Sequence, residues 1–330
     1  VADIERGGVF AHVVGRRVSG AGVVWCIPPV RPGGFNLSRV AALCMYEKLL
    51  VPVDESSVEM ALLPHACEVA LRFDAEVRLL HVADTARDSV TVTDDGLVDA
   101  LEAAGRDVVD AAGEVLDTFG VEYTTDVVQG SPADTIAQYA GEFDYDCIAM
   151  ATHGRTGIAR GLLGSVTEKV VRLANVPVLT LRGDNHDPLT FPYKRILVAT
   201  DGSATADRAA SHAFALAETL DASVHVVTVI DTAELGPDVR SVLDTSGARA
   251  AARETVGGVA GDAPEGVDVT TAVIDGKPSS ALGEYAEANG IDAVVLGTTG
   301  RRGVDRILLG SVAEQTVRTA SVPVITVGGE

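Results

Sequence analysis

Two stretches of this chain carry residue types that can hold an anion. Ala151 to Thr167 reads ATHGRTGIARGLLGSVT, with four glycines, several hydroxyl residues and two arginines. It follows the apolar run Cys147-Ile148-Ala149-Met150 and precedes Val166, Val170 and Leu173 at helical spacing. Gly297 to Ala313, GTTGRRGVDRILLGSVA, repeats the pattern after Ala293-Val294-Val295-Leu296. Glycine lets the backbone approach a ligand closely and adopts positive φ without penalty. Ser165 and Ser311 fall where a helix N-cap is expected. The unpaired N–H groups behind such a position form a ready anion site, and phosphate is the usual anion.

No catalytic set accompanies these loops. No carboxylate pair or nucleophile–base spacing stands out, and no lysine follows the glycines as in a phosphate-binding P-loop. His153 lies in the first loop, but Thr299 holds its place in the second. Arg155, Arg160, Arg301, Arg302 and Arg306 could neutralise phosphates, although a solvated loop face accounts for most of them. The seven histidines show no metal-ligand spacing. The residues therefore suit binding better than turnover.

The elements that must position the loops follow a strand–helix alternation. Lys48 to Val53 reads as a buried strand, with Pro52 costing it a ladder donor. The turn Asp54-Glu55-Ser56-Ser57 opens a helix from about Val58 to Phe73, with a kink expected at Pro64. Strands at 77–82, 123–128, 147–151 and 177–181 alternate with helices at 95–119, after Gly130-Ser131-Pro132, and at 165–174. This alternation argues for a parallel sheet covered on both faces.

The whole unit then repeats. Asp201 follows Asp54 by 147 residues, while Gly300, Gly310 and Pro323 follow Gly154, Gly164 and Pro177 by 146. An offset this steady is an internal duplication. Domains are expected at 45–183 and 194–330, joined by the polar, proline-containing linker 184–193. Residues 1–44 lack a clear period and read as an extension, either disordered or an artefact of the start site, with Met45 as the expected beginning.

Gly297-x2-Gly300-x9-Gly310-Ser311 resembles the nucleotide-binding signature of the universal stress protein family, G-x2-G-x9-G-[ST]. The first copy, Ala151-x2-Gly154-x9-Gly164-Ser165, departs from it by one alanine. The resemblance implies two tandem doubly wound α/β domains, each a five-stranded parallel sheet of order 3-2-1-4-5 flanked by helices. The ligand crevice then lies between strands one and four, where strand order reverses. It implies an internal pseudo-dimer paired through the last strands, Pro177 to Leu181 and Pro323 to Val327. A further homodimer stays open.

The same resemblance implies ATP or another adenine nucleotide as ligand, with magnesium as an accompanying ion. Main chain at Val53, Val82, Ala199, Thr200 and Val229 would hold adenine. Asp54 and Asp201 would contact ribose or a metal-bound phosphate, with Ser56 and Ser203 in the same turns and Gly130 and Gly276 beside the ribose. Gly154, Gly164, Ser165 and Val166 would cradle phosphates, as would Gly297, Gly300, Gly310, Ser311 and Val312. Thr167 would add a hydroxyl that Ala313 cannot. The bland readings stand beside these: the aspartates and serines also suit helix caps, and the valines also suit the core. An adenine-nucleotide-binding regulatory stress protein is the reading preferred. A slow ATP hydrolase and a nucleotide-free pairing module are the alternatives.

Composition limits the partners. The net charge is −21 with an isoelectric point near 4.6, and only four of 26 basic residues are lysine. Such a surface lacks the basic footprint of nucleic-acid binding. It suits work at high salt, where screening weakens self-repulsion, so a halophilic setting is expected. Cys26, Cys44, Cys67 and Cys147 show no paired spacing, which fits a reducing cytoplasm. No apolar run reaches the length of a membrane span.

Overall fold

The computed structural model describes residues 16–17, 45–55, 61–84, 97–152, 163–182, 189–232, 245–298 and 309–328. The first domain carries β2 (Lys48–Pro52), α1 (Leu62–Phe73), β3 (Glu76–Asp84), α2 (Leu97–Phe119), β4 (Tyr123–Gly130), α3 (Pro132–Glu142), β5 (Cys147–Ala151), α4 (Ser165–Leu173) and β6 (Val178–Leu181). The second carries β7 (Arg195–Ala199), α5 (Ala204–Leu220), β8 (Ser223–Asp231), α6 (Thr245–Gly261), β9 (Val269–Gly276), α7 (Pro278–Asn289), β10 (Ala293–Gly297), α8 (Ser311–Thr319) and β11 (Val324–Val327). A short β1 (Arg16–Arg17) pairs antiparallel with Thr124 and Thr125 of β4. The remainder of 1–44 lies outside the described residues.

The central strands form because they are short, largely apolar runs buried on both faces. Leu49 to Pro52 and Val178 to Leu181 are buried at every position, the pattern of a parallel sheet between helices. Helix boundaries follow local chemistry. Ser203 caps α5 by accepting the Ala206 N–H at 3.2 Å. Pro132 and Pro278 take the first position of α3 and α7, where a missing N–H costs nothing. Pro64 stands in the first turn of α1, so the kink expected there has no hydrogen bond to break.

The sheet runs β1-β4-β3-β2-β5-β6-β11-β10-β7-β8-β9. Counted within each domain, the order is 3-2-1-4-5. The halves are not separate sheets: β6 and β11 pair antiparallel, Leu179 opposite Ile325, and fuse them into one. Thr180 donates to Val324 O and Thr326 donates to Val178 O, so the contact reads the same from either side. One face of this long sheet carries a single core, from Leu49, Leu79 and Ala149 through to Ile196, Val226 and Val295. The opposite face divides into two clusters, one per domain.

The linker is less polar in structure than in composition. Leu189 and Phe191 pack on the shared core and Tyr193 is 2% exposed. Alternating apolar residues in Leu189-Thr190-Phe191-Pro192-Tyr193 carried that signal. Residues 183–188 lie outside the described set.

Candidate functional site

Strands β2 and β5 are neighbours, pairing at Leu49–Cys147 and Leu50–Ile148. The helices that follow them leave to opposite faces: α1 packs in the shared core, α4 in the first domain's own cluster. The turns beyond the two strands therefore flank a crevice at the reversal of strand order. β7 and β10 repeat this in the second domain, pairing from Ala293–Ile196 to Val295–Val198.

The Gly-rich loops are clamped at their bases. Thr152, 1% exposed, donates its N–H to Leu181 O at 2.7 Å, and its carbonyl accepts the Gly164 N–H at 2.7 Å. Thr298 repeats both bonds, to Val327 O at 3.0 Å and from Gly310 N–H at 2.7 Å. The clamp decides the cap. Gly164 and Gly310 take the extended cap conformation, and neither has a side chain to accept from the helix. The serines expected there, Ser165 and Ser311, are instead the first helical residues, and both are exposed. The first helical bonds come from Glu168 N–H to Gly164 O and Glu314 N–H to Gly310 O, each 2.9 Å. The N–H groups ahead of them, at residues 165–167 and 311–313, precede any helical acceptor.

The opposite wall differs between domains. In the second, Asp201 Oδ1 accepts the Ser203 N–H at 3.0 Å, and Gly202, at φ 72°, donates to Thr200 Oγ1 at 3.0 Å. Thr200 is buried and bonded from its N–H to Val227 O. In the first, Glu55 holds the place of Gly202 and Asp54 is half-buried. Val53 is buried and donates its N–H to Leu80 O at 2.9 Å. Val82 and Val229 sit partly buried against their domain clusters, as does Ala199. Gly130 and Gly276 end β4 and β9, the latter at φ 141°. Ser56, Gly154 and Gly300 lie outside the described residues, as do the five loop arginines.

A model of the universal stress protein family matches residues 45–182 and again residues 192–328. The chain belongs to the universal stress protein family. It is 37% identical over 142 residues to a universal stress protein of Methanocaldococcus jannaschii, covering 42% of this chain and 83% of that relative. A universal stress protein of Mycolicibacterium smegmatis is 29% identical over 296 residues, 84% of this chain and 96% of the relative. A solved universal stress protein from Archaeoglobus fulgidus shares the fold, with a TM-score of 0.62 at 23% identity over 87% of this chain and 98% of its own.

Within this family member, two motif positions serve packing. A Cβ on Gly297 would lie 2.9 Å from the Thr205 carbonyl carbon, so the glycine lets α5 close on β10. Thr167 is buried and donates its hydroxyl hydrogen to Ala151 O at 2.8 Å. That hydrogen is engaged by the strand, so the Thr167 hydroxyl has no donor left for a phosphate.

Sequence reasoning missed His81, whose Nδ1 donates to Val53 O at 2.9 Å. No periodicity marks it, because it stands on a strand whose neighbours explain themselves as core. It also missed a buried group in the first domain. Asp126, fully buried, accepts from Arg78 at 2.5 Å and, through the same oxygen, from the Tyr139 hydroxyl. In the second domain His225 and Tyr285 meet at 2.9 Å in the corresponding place. Among the described residues no cluster of three metal-ligating side chains occurs, and no helix is long and apolar enough to cross a membrane.

Proposed function

We propose that this universal stress protein binds an adenine nucleotide in the crevice of each domain and acts as a regulatory protein in the stress response. The units are residues 45–183 and 194–330, joined by 184–193. The carrying observation is the pair of helix starts at α4 and α8. Each has a glycine cap without an acceptor, an exposed serine first and a free first turn, at the carboxyl edge of the switch strands. Such a start favours an anion through both its N–H groups and its dipole, which fits a nucleotide phosphate.

Ser165 and Val166, or Ser311 and Val312, would hold phosphate by their main-chain N–H groups, the serines adding hydroxyls. Asp54 and Asp201 would meet the ribose or the magnesium that accompanies ATP, beside Gly130 and Gly276. Main chain at Val53 and Val82, or at Ala199, Thr200 and Val229, would take adenine. Gly154, Gly300 and Ser56 complete the motif turns in this reading.

Calorimetric titration with ATP, ADP and AMP in molar salt tests it, with a Gly310→Val, Ser311→Ala variant beside the wild type. Saturable binding to the wild type, weakened at one of two sites in the variant, is expected. Absence of binding in both would leave the second reading, a pairing module, which the core shared by the two domains favours. Metal-dependent release of phosphate that the variant loses would turn the reading towards a slow hydrolase.

A further inference from the structure

Leu163 and Leu309 are the residues just before the two glycine caps, and each packs in the wrong domain. Leu309 lies against the first domain's cluster of Leu50, Leu80, Ile148 and Val170, the cluster on which Val166 also rests. Leu163 lies against the second domain's cluster of Leu197, Leu296, Val317 and Val324, on which Val312 rests. The exchange is reciprocal, since Leu309 follows Leu163 by 146 residues, the offset of the repeat.

We infer that the two crevices are energetically coupled: a phosphate held at one helix start changes the affinity of the other through the exchanged leucines. This rests on the nucleotide reading above. The path is short. The anion-binding turn of α4 begins at Ser165, and Gly164 before it is pinned to Thr152 O. Leu163 comes next and packs on the second domain's cluster, on which Val312, in the first turn of α8, also rests. Leu309, next to Gly310, returns the connection through the first domain's cluster, on which Val166 rests. Close-packed interiors transmit such displacements because neighbours cannot yield independently. The coupling is reciprocal by thermodynamic necessity.

The test reads hydrogen exchange at two amides in the full chain, with and without ATP. Glu168 N–H, bonded to Gly164 O, reports the first site, and Glu314 N–H, bonded to Gly310 O, reports the second. Without ATP, Leu309→Ala is expected to speed exchange at Glu168, across the domain boundary, by about fivefold or more. With ATP, the same variant is expected to need about fivefold more nucleotide to protect Glu168 than the wild type does. Leu163→Ala should do the same to Glu314. Where an alanine variant does not fold, Leu→Val at the same position carries the readout.

ATP protection of both amides in the wild type, with variants within twofold of it across the boundary, would overturn the coupling and leave the nucleotide reading standing. Absence of ATP protection at either amide in the wild type would overturn both.

Discussion

His65 Nε2 lies 2.7 Å from the Tyr193 hydroxyl, a contact between the first helix of one domain and the residue leading into the first strand of the other. His212 and Tyr46 make the reciprocal contact, also at 2.7 Å. Both pairs bridge the domains on the face where the core is continuous.

These pairs make the interface sensitive to acid. Burial lowers both imidazoles to about 4, so both are neutral in the folded chain at pH 7. In the unfolded chain they titrate near 6.5, so the unfolded state binds more protons between those values. Stability is therefore complete above about pH 6.5 and is lost as pH falls towards 4. Tyr193, Glu68 and Phe191 face His65, and the Glu68 carboxylate at 3.6 Å from Nδ1 offers little relief. Tyr46 faces His212. Urea unfolding at pH 7 and pH 4.5 should differ by on the order of 5 kcal/mol from the pair. In a His65→Gln, His212→Gln chain that difference should shrink, and an unchanged profile would remove the histidines as its cause.

Asp126 should be intolerant of change. It is fully buried and shared by Arg78 and Tyr139. Asp126→Ala leaves a half-buried guanidinium without its counter-charge and should cost about 3–5 kcal/mol. Arg78→Met with Asp126→Leu removes both charges and should recover most of that loss, as measured by denaturant midpoint at constant slope.

The glycine of the second motif should be needed for packing even without ligand. Gly297→Ala places a methyl 2.9–3.0 Å from Thr205 backbone atoms, which cannot rotate away. A loss of about 1–3 kcal/mol is expected in thermal or urea unfolding of the ligand-free chain. The converse change at the matching position, Ala151→Gly, should cost only about 0.5–1 kcal/mol, the ordinary price of a strand glycine.

The acidic surface predicts a salt response. With net charge −21, self-repulsion opposes compactness at low ionic strength. The melting temperature should rise by several degrees from about 0.1 M to 2 M KCl, where the screening length falls to a few ångströms. A flat or falling curve would show that charge repulsion contributes little here.

Much of the architecture was legible because it depends on local pattern. Buried strands such as Cys147–Ala151 stand out as uniform apolar runs, and Pro132 and Pro278 mark helix starts wherever the chain goes next. The duplication was readable as an offset, which aligned Asp54 with Asp201 and Gly164 with Gly310 in sequence. The cap was misplaced by one residue, because the bond from Gly164 to Thr152 O that ends the loop joins positions twelve apart. Likewise nothing in the spacing distinguishes Thr167 as a phosphate donor from Thr167 as a donor to Ala151 O.

The amino-acid order by itself determined the repeat, the strand–helix alternation and the glycine loops, since propensity, capping and hydrophobic period act over a few residues. The folded chain alone decided that the leucines exchange domains and that His65 finds Tyr193 across 128 positions. Those contacts depend on where two remote segments return in space. That is set by the packing of both sheet faces together, and no short window of sequence contains it.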